Sequence, residues 1–574
     1  MFTVDAFLSR SYPSLANRPL VTPPLRTVLR RLLREDSFLR FAEHYPHLRG
    51  MDFVEQVLES LHCTYTVSDR ERENIPASGR VVIVANHPIG SLDGLVLLKL
   101  VHDSRPDVRI VANDLLEVIG PLRPCLLSVK VMAGHADKTQ LTRIDQALAN
   151  EEAVIIFPAG EVSRLSPKGV QDRSWRKGFL RIAARAKAPI LPIHVHGRNS
   201  LAFYAVSLLL KPLSFLMLVS EMFRHRRVPL KLTIGALIPH TAYRSLKIRE
   251  KDKVDLLRRH LYRIGAGKKG ILPTETAIAR PERRAELKKT VRAGELLGTT
   301  PDNKAIYLFT GDEQLPVLRE IARLRELTFR AVGEGSGKRR DMDRFDRYYR
   351  HLVLWSEEDL EIVGAYRLAD AEAVVRERGC EGLYSHSLFW FEPGRFDCLD
   401  QGLELGRSFV QQRYWGKRGL DYLWYGIGAF LRRNPHYRYL FGPVSISNTM
   451  PQTARELLVY FYTLYFGAAS SQAHSRHPFR FSLPAADLAR SFRGDDYRQD
   501  LVRLKSMLAT MGTSIPTLYK QYTELCLPGG VSFLDFNIDR DFSDCVDGLV
   551  VVDTVRLKPD KRKRYLEGSV LAGT

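Results

Sequence analysis

The first of three short runs in the sequence carries two residues that could cooperate in proton transfer. The run VVIVANHPIGSLDG spans 81–94, so His87 follows an apolar strand and Asp93 lies at the start of the next helix. A carboxylate at Asp93 can fix one tautomer of the imidazole, which leaves the other ring nitrogen free to take a proton from a hydroxyl group. Gly90 lets the backbone and a substrate approach closely. The alternative interpretation is a capped helix start with an incidental histidine.

The second run, FPAGEVSR at 157–164, also follows an apolar strand, AVIIF. Arginine and lysine residues come soon after it, and backbone N–H groups at such a turn can hold an anionic headgroup. A third run, APILPIHVHG at 188–197, predicts a strand with a proline in its middle. The additional runs weaken the interpretation of the histidine as incidental.

The three runs, in this order, resemble the lysophospholipid acyltransferases of the glycerol-phosphate acyltransferase superfamily. The resemblance implies that His87 is the general base, that Asp93 orients it, and that the acceptor hydroxyl attacks an acyl thioester directly. It also implies a set of substrate-binding residues: Asn86, Gly90, Phe157, Pro158, Gly160, Glu161, Ser163 and Arg164.

Two positions depart from that family's pattern. Five residues, rather than four, separate His87 from Asp93, and Ala159 stands where the family has a glutamate. Either Glu161 takes over the headgroup contact, or the acceptor is not a glycerol phosphate. We favour the second interpretation, because these variants of the two motifs look like the subgroup that acylates amino-acid lipids.

The C-terminal half carries a different signature around the run LELGR, which contains Glu404 and Arg407. It precedes a turn rich in Arg, Lys and Gly, whose backbone donors would suit a phosphopantetheine arm. A carboxylate such as Glu404 could help an amine to lose its proton before it attacks a thioester. Taken alone, the run would be a salt-bridged strand followed by a solvated basic turn.

With its neighbouring segments this run resembles the GNAT-like N-acyltransferases that depend on acyl carrier protein. The resemblance implies Glu404 as a catalytic residue. It also implies that acidic side chains attract the ammonium groups of an amino acid, and that Arg367 binds a carboxylate. The residues implied for the amino-acid and thioester site are Arg325, Phe329, Asp343, Asp346, Arg367, Arg407 and Ser408.

The elements that must position these residues alternate between short apolar strands and helical segments. Continuous apolar strands between helices predict an α/β fold with a largely parallel, buried sheet in the first half, and the second half repeats the alternation. We therefore predict two α/β domains, the first glycerol-phosphate acyltransferase-like and the second GNAT-like. The predicted organisation is a helical, candidate membrane-docking region at 1–65, domains at 66–265 and 304–574, and a linker at 266–303.

Composition limits the partners. The net charge is +21, which argues for an anionic partner such as nucleic acid, a membrane surface or an acidic carrier protein. The six cysteines are scattered without metal-ligand spacing, so we expect neither a metal site nor disulfides, and we find no signal peptide. The apolar stretch Leu201–Phe223 contains a central Lys-Pro pair and is either a buried helix pair or an interfacial segment.

Together the two resemblances imply a bifunctional ornithine lipid synthase. The second half would N-acylate an amino acid, with ornithine expected, from a 3-hydroxyacyl carrier protein, and the first half would O-acylate the product. We expect no bound cofactor, an acyl-ACP or acyl-CoA co-substrate, no nucleic-acid partner, and a peripheral location on the cytoplasmic face of the inner membrane. The alternatives are a lysophospholipid O-acyltransferase with a degenerate second half, and a non-enzymatic, membrane-binding or lytic basic protein.

Overall fold

The computed structural model describes residues 4, 22–113, 116–117, 119–129, 131–132, 135–136, 138–167, 169–209, 211–225, 228–311, 315–392, 394–469 and 472–567. The chain divides into two compact units, Met1–Ala279 and Arg280–Thr574. The division falls inside the segment for which we predicted a linker.

The first unit is built on a buried sheet whose strand order is β1-β11-β10-β2-β7-β3-β4. All neighbours in it are parallel except β10 and β11. The strands of this unit are β1 (Tyr65–Thr66), β2 (Val81–Ala85), β3 (Val108–Asn113), β4 (Leu126–Val129), β5 (Val131–Met132), β6 (His135–Ala136), β7 (Ala153–Ile156), β8 (Arg164–Ser166), β9 (Gly169–Gln171), β10 (Ile190–His196) and β11 (Leu230–Ile234).

Helices cover both faces of this sheet. Alternate residues of β2 enter two different apolar clusters, so the strand is buried on both sides, as its unbroken apolar sequence predicts. The helices are α1 (Thr22–Leu32), α2 (Glu35–His44), α3 (Gly50–Ser60), α4 (Asp69–Arg72), α5 (Ser91–His102), α6 (Lys138–Ala149), α7 (Gly178–Arg185), α8 (Leu201–Leu209), α9 (Lys211–Arg224), α10 (His240–Arg244) and α11 (Glu250–Gly265).

The apolar stretch Leu201–Phe223 forms two helices, α8 and α9, which pack against each other. Phe203 and Tyr204 on α8 are buried, whereas Leu201 is 79% exposed. Among the described residues, no helix combines the length and the apolar character that crossing a bilayer requires.

The second unit is built on a sheet with the strand order β12-β13-β14-β15-β17-β18-β21-β20. Its neighbours are antiparallel except β17 and β18. Its strands are β12 (Glu295–Thr299), β13 (Lys304–Thr310), β14 (Arg350–Ser356), β15 (Glu361–Asp370), β16 (Phe389–Phe391), β17 (Gly402–Val410), β18 (Tyr439–Ile446), β19 (Ala473–Ser475), β20 (Val531–Asp539) and β21 (Cys545–Asp553).

Helices pack on this second sheet through apolar clusters on its two faces. They are α12 (Arg284–Val291), α13 (Leu315–Val332), α14 (Ala371–Arg378), α15 (Cys398–Gln401), α16 (Gly419–Arg433), α17 (Gln452–Phe466), α18 (Ala485–Ser491), α19 (Tyr497–Thr510), α20 (Thr517–Thr523) and α21 (Pro559–Arg562). The fold class is therefore α/β in both units, as the sequence predicted. The segment predicted as a linker, 266–303, also supplies an edge strand, β12. The backbone of this strand pairs with β13 in antiparallel register.

Candidate active sites

The first candidate site lies at the carboxyl ends of two adjacent parallel strands. His87 follows β2, and Phe157 follows β7, so both emerge at the same edge of the sheet. Their rings stack with centroids 4.0 Å apart and an interplanar angle of 24°. The two predicted motifs therefore meet in space, although seventy residues of sequence separate these rings.

His87 and Asp93 form the predicted pair. The Nδ1 atom of His87 lies 3.1 Å from Oδ2 of Asp93, whose side chain is fully buried. The same Oδ2 accepts backbone hydrogen bonds from Ile89, at 2.9 Å, and Gly90, at 3.0 Å. These bonds close the turn between the strand and α5, and Gly90 takes a positive φ of 118° there. The turn thus absorbs the additional residue between histidine and aspartate.

Asn86 holds this turn to the neighbouring strand. Its Nδ2 donates to the Val195 carbonyl at 2.9 Å, and its Oδ1 accepts from the Val195 N–H at 2.8 Å. Both ends of the buried amide are therefore occupied by β10. Asn86 therefore clamps this turn to β10, and the substrate contact that the resemblance implied for it stays a prediction.

The second motif supplies an arginine with unused donors. Two guanidinium nitrogens of Arg164, Nε and Nη1, are buried without a hydrogen-bond partner among the residues that the structure describes. Its side chain lies 3.7 Å from the Glu161 carboxylate and 5.7 Å from the Phe203 ring centroid. Pro158 and Gly160 form the turn before it, in which Gly160 has a φ of 65°. The guanidinium can therefore serve an anionic group of a substrate.

The second candidate site lies where β17 and β18 stop pairing. The register of these parallel strands ends at the pair of Glu404 and Phe441, although both strands continue for several residues. Beyond that point Arg407 and Ser408 form a β-bulge opposite β15, and Arg407 has a positive φ of 49°. The pairing of β17 with β18 therefore ends beside the bulge at Arg407.

A buried ion network lies beside the bulge. Arg325 donates to both oxygens of Asp346, at 2.8 and 2.7 Å, and Arg367 donates to Asp346 at 3.0 Å and to Asp343 at 2.7 Å. Burial opposes ionisation of Asp346, yet the two guanidinium groups hold its pKa well below the ordinary value. Arg407 is more loosely placed, 3.8 Å from the carboxylates of Asp341 and Asp343.

These contacts correct several predicted roles. Asp346 is buried and shared by two arginines, so it does not bind a substrate's ammonium group as the resemblance implied. Arg367 keeps two buried nitrogens, Nε and Nη2, without a hydrogen-bond partner among the described residues, so its contact with a substrate carboxylate stays a prediction. Asp343 also has an arginine partner, although it is partly exposed. Phe329 packs edge-on against Phe542 in the core, at 5.1 Å, and is a packing residue.

Glu404 is not placed as a general base. Its side chain is 1% exposed and accepts hydrogen bonds from the Tyr349 hydroxyl and from the backbone N–H groups of Tyr384 and Ser385. Both carboxylate oxygens are therefore occupied. Glu404 anchors the segment at 384–385, and the sequence alone could not show this because its partners lie far along the chain.

Comparisons with known proteins find a family match in each half of the chain. A family model described as Acyltransferase matches residues 6–266, and one described as Acetyltransferase (GNAT) domain matches residues 324–425. A glycine N(alpha)-acyltransferase of Bacteroides thetaiotaomicron is 30% identical over 281 residues, which cover 47% of this chain and 83% of that protein. The chain belongs to this acyltransferase family.

Two further relatives of this acyltransferase extend the comparison. A lyso-glycine lipid O-acyltransferase of Phocaeicola vulgatus is 28% identical over 226 residues, covering 38% of this chain and 80% of that protein. An L-ornithine N(alpha)-acyltransferase of Brucella abortus is 32% identical over 145 residues, covering 23% of this chain and 50% of that protein. The protein is therefore an acyl-transferring enzyme that carries an acyltransferase domain and a GNAT domain in one chain.

Three carboxylates near the bulge of this acyltransferase were not predicted from the sequence. Asp547 is 2% exposed, Asp539 is 5% exposed, and Glu334 is partly buried just after α13. Burial, reinforced by the neighbouring carboxylates, raises the pKa of Asp547 to about 7 and that of Glu334 to about 8, although Arg407 opposes both shifts. An aspartate within the apolar run of β21 was the one local signal for this group.

Proposed function

We propose that this acyltransferase makes an amino-acid-containing membrane lipid by two successive acylations. The GNAT unit would transfer a 3-hydroxyacyl group from acyl carrier protein to the α-amine of an amino acid. The first unit would then acylate the 3-hydroxyl group of that product. The observation that carries the proposal is the presence in one chain of two acyltransferase units whose relatives include N(alpha)-acyltransferases and lyso-lipid O-acyltransferases.

The pair of His87 and Asp93 supports the O-acylation step. The imidazole would take the proton of the lipid hydroxyl as its oxygen attacks the thioester carbonyl, and the same proton would leave on the departing thiol. Asp93, 3.1 Å from Nδ1, would orient the ring and stabilise the imidazolium. Arg164 would bind an anionic group of either substrate. No covalent acyl-enzyme is needed.

The set of acidic side chains near Arg407 supports the N-acylation step. An amino acid enters as an ammonium ion and must lose a proton before its nitrogen attacks the thioester. Asp547 and Glu334, whose pKa values are raised towards neutrality, are suited to accept that proton. Backbone groups beyond the last register pair of β17 and β18 would contact the pantetheine arm. The carbonyl carbon of the thioester would then exchange its C–S bond for a C–N bond.

The charge balance favours an amino acid with a second amine. The arginines at 325, 367 and 407 contact the aspartates at 341, 343 and 346, so they already have carboxylate partners. The remaining acids, Glu334, Asp539 and Asp547, have raised pKa values, and a second ammonium group bound among them would favour their ionised forms. We therefore expect a diamino acid such as ornithine. Glycine is the second candidate, because the relatives with N(alpha)-acyltransferase names include glycine enzymes.

The net charge of +21 supports the remaining parts of the proposal. Acyl carrier proteins and the lipid headgroups of bacterial inner leaflets are both acidic. We accordingly propose acyl carrier protein as the donor and a peripheral position on the cytoplasmic face of the inner membrane. No bound cofactor is required by either acylation.

Reconstitution of the full chain tests the proposal. Purified protein would be incubated with 3-hydroxyacyl carrier protein, a second acyl carrier protein thioester, and ornithine or glycine, and the lipids would be read by mass spectrometry. We expect a diacylated amino-acid lipid, with ornithine preferred. Acylation of lysophosphatidic acid without any N-acyl product would instead establish the monofunctional alternative.

Matched variants assign each step to its unit. His87→Ala should accumulate the N-acyl lyso-lipid and lower O-acylation by about 10²–10⁴-fold, the usual contribution of a general base. Asp145→Asn, which changes a surface ion pair of the same unit, is the control and should leave both steps unchanged. Unchanged diacyl product from His87→Ala would remove the proposed role of the histidine.

A further inference from the structure

A second buried carboxylate lies against the histidine loop. Asp172 follows β9 and is 2% exposed. Its Oδ1 accepts a hydrogen bond from the backbone N–H of His87, at 3.3 Å, and one from the Ser163 hydroxyl, at 2.5 Å. Its Oδ2 accepts from the Trp175 indole N–H at 2.8 Å. One side chain thus joins the histidine loop to the motif that follows β7.

The backbone of Asp172 is itself held by α11. Its N–H donates to the Tyr262 hydroxyl at 2.6 Å, and its carbonyl accepts from the Arg258 guanidinium. Arg258 also lies over the Tyr262 ring, with its central carbon 5.3 Å from the ring centroid. The carboxylate is therefore fixed from outside the site, and it does not depend on a substrate for its position.

The histidine is held from its other side as well. The Ser163 N–H donates to the His87 carbonyl at 2.7 Å, so both polar groups of the His87 backbone are bonded to one small network. Asp93 and Phe157 hold the ring, whereas Asp172 and Ser163 hold the main chain. The two sets of contacts act on different parts of the same residue.

We propose that Asp172 is a positioning residue for O-acylation, which fixes the main chain of His87 and keeps a second negative charge near its imidazole. The inference rests on the O-acylation proposed above. As the imidazole takes the hydroxyl proton it becomes an imidazolium ion, and a nearby carboxylate stabilises that charge in a site from which water is largely excluded.

Several other charged or titratable groups lie around this network. Asp93 faces the imidazole from α5. Tyr262 and Arg258 face Asp172 from α11, and His194 on β10 lies 5.4 Å from the Tyr262 ring. Burial raises the pKa of Asp172, while its hydrogen bonds and its interaction with His87 act in the opposite direction. Loss of the negative charge at 172 should therefore remove part of the stabilisation of the imidazolium ion that forms during the reaction.

Asp172→Asn tests the charge while keeping an amide oxygen for the His87 N–H. We expect kcat of O-acylation to fall by about tenfold, which is less than the loss for His87→Ala. We also expect the acidic limb of the kcat/KM profile to move to lower pH, with little change in KM for the lyso-lipid. Asp145→Asn, at a surface ion pair of the same unit, is the matched control, and its pH profile should not move.

In Asp172→Asn the amide NH2 would face the indole N–H of Trp175, and two donors cannot bond to each other. Asp172→Asn combined with Trp175→Phe is a second variant that removes this conflict. The pH profile of kcat/KM should move in the same direction in both variants. An unchanged kcat, or a lowered kcat with an unmoved pH profile, would overturn the positioning role. Failure of the proposed function is distinguishable, because it would show as full O-acylation by His87→Ala.

Discussion

Ser445 donates a hydrogen bond of 2.6 Å to Asp547 across the register pair that joins β18 to β21. Both residues therefore lie on one face of the sheet. Asp539 and Arg407 interact electrostatically with the same carboxylate. A buried acid thus lies near Arg407, where we place the acyl thioester.

Asp547→Asn should impair N-acylation. Because the pKa of Asp547 is raised to about 7, the ionised form that accepts a proton accumulates as pH rises through that value. The wild-type rate should rise across this range. The variant should be slower by about 10²-fold and lack that step. A pH series of N-acyl product formation measures this, with Asp487→Asn at an exposed ion pair as the control. Equal rates and profiles would contradict the assignment.

The same substitution should stabilise the second unit above neutral pH. An aspartate whose folded pKa lies above its unfolded value favours the protonated native state, so its contribution to stability is lost as pH rises from about 4 through about 7. Asparagine carries no such penalty. We expect the melting temperature of the variant to exceed that of the wild type at pH 8, and the difference to shrink at pH 5. A lower melting temperature at pH 8 would show that the Ser445 bond matters more.

Glu404→Gln should affect stability more than chemistry. The buried carboxylate accepts three hydrogen bonds. A glutamine has an NH2 group in place of one oxygen, so at least one of the three donors would lose its acceptor. We expect a loss of about 1–3 kcal/mol in the free energy of unfolding. Denaturant titration measures the loss. The pH dependence of the remaining N-acylation should keep its midpoint, whereas a displaced midpoint would restore Glu404 as the base.

Asp346→Asn should destabilise the second unit strongly. It leaves the buried guanidinium groups of Arg325 and Arg367 without their shared partner, and loss of one member of such a network costs about 3–5 kcal/mol. N-acylation should be lost with the fold, while O-acylation of a supplied lyso-lipid should persist. Asp421→Asn, at a more exposed pair with Arg564, should cost much less in the same denaturation assay.

The sequence by itself determined the α/β class of both units and the pairing of His87 with Asp93. Apolar strands and helical runs alternate along the chain, and that pattern persists whatever the strands pack against. Histidine and aspartate lie in one strand-to-helix turn, so local backbone geometry brings them together. The contact of His87 with Phe157 was not predicted, and it depends on the pairing of β2 with β7, which brings the carboxyl ends of both strands to one edge.

Only the tertiary structure decided which charges are free to act. Glu404 and Asp346 resemble site residues in the sequence, yet partners from distant segments occupy their carboxylate oxygens. Asp172 reaches His87 across 85 positions of the chain, and Asp547 reaches Ser445 across 102. The ionisation of a buried group depends on desolvation and on its neighbours in space, and neither quantity is encoded in the residues beside it in the sequence.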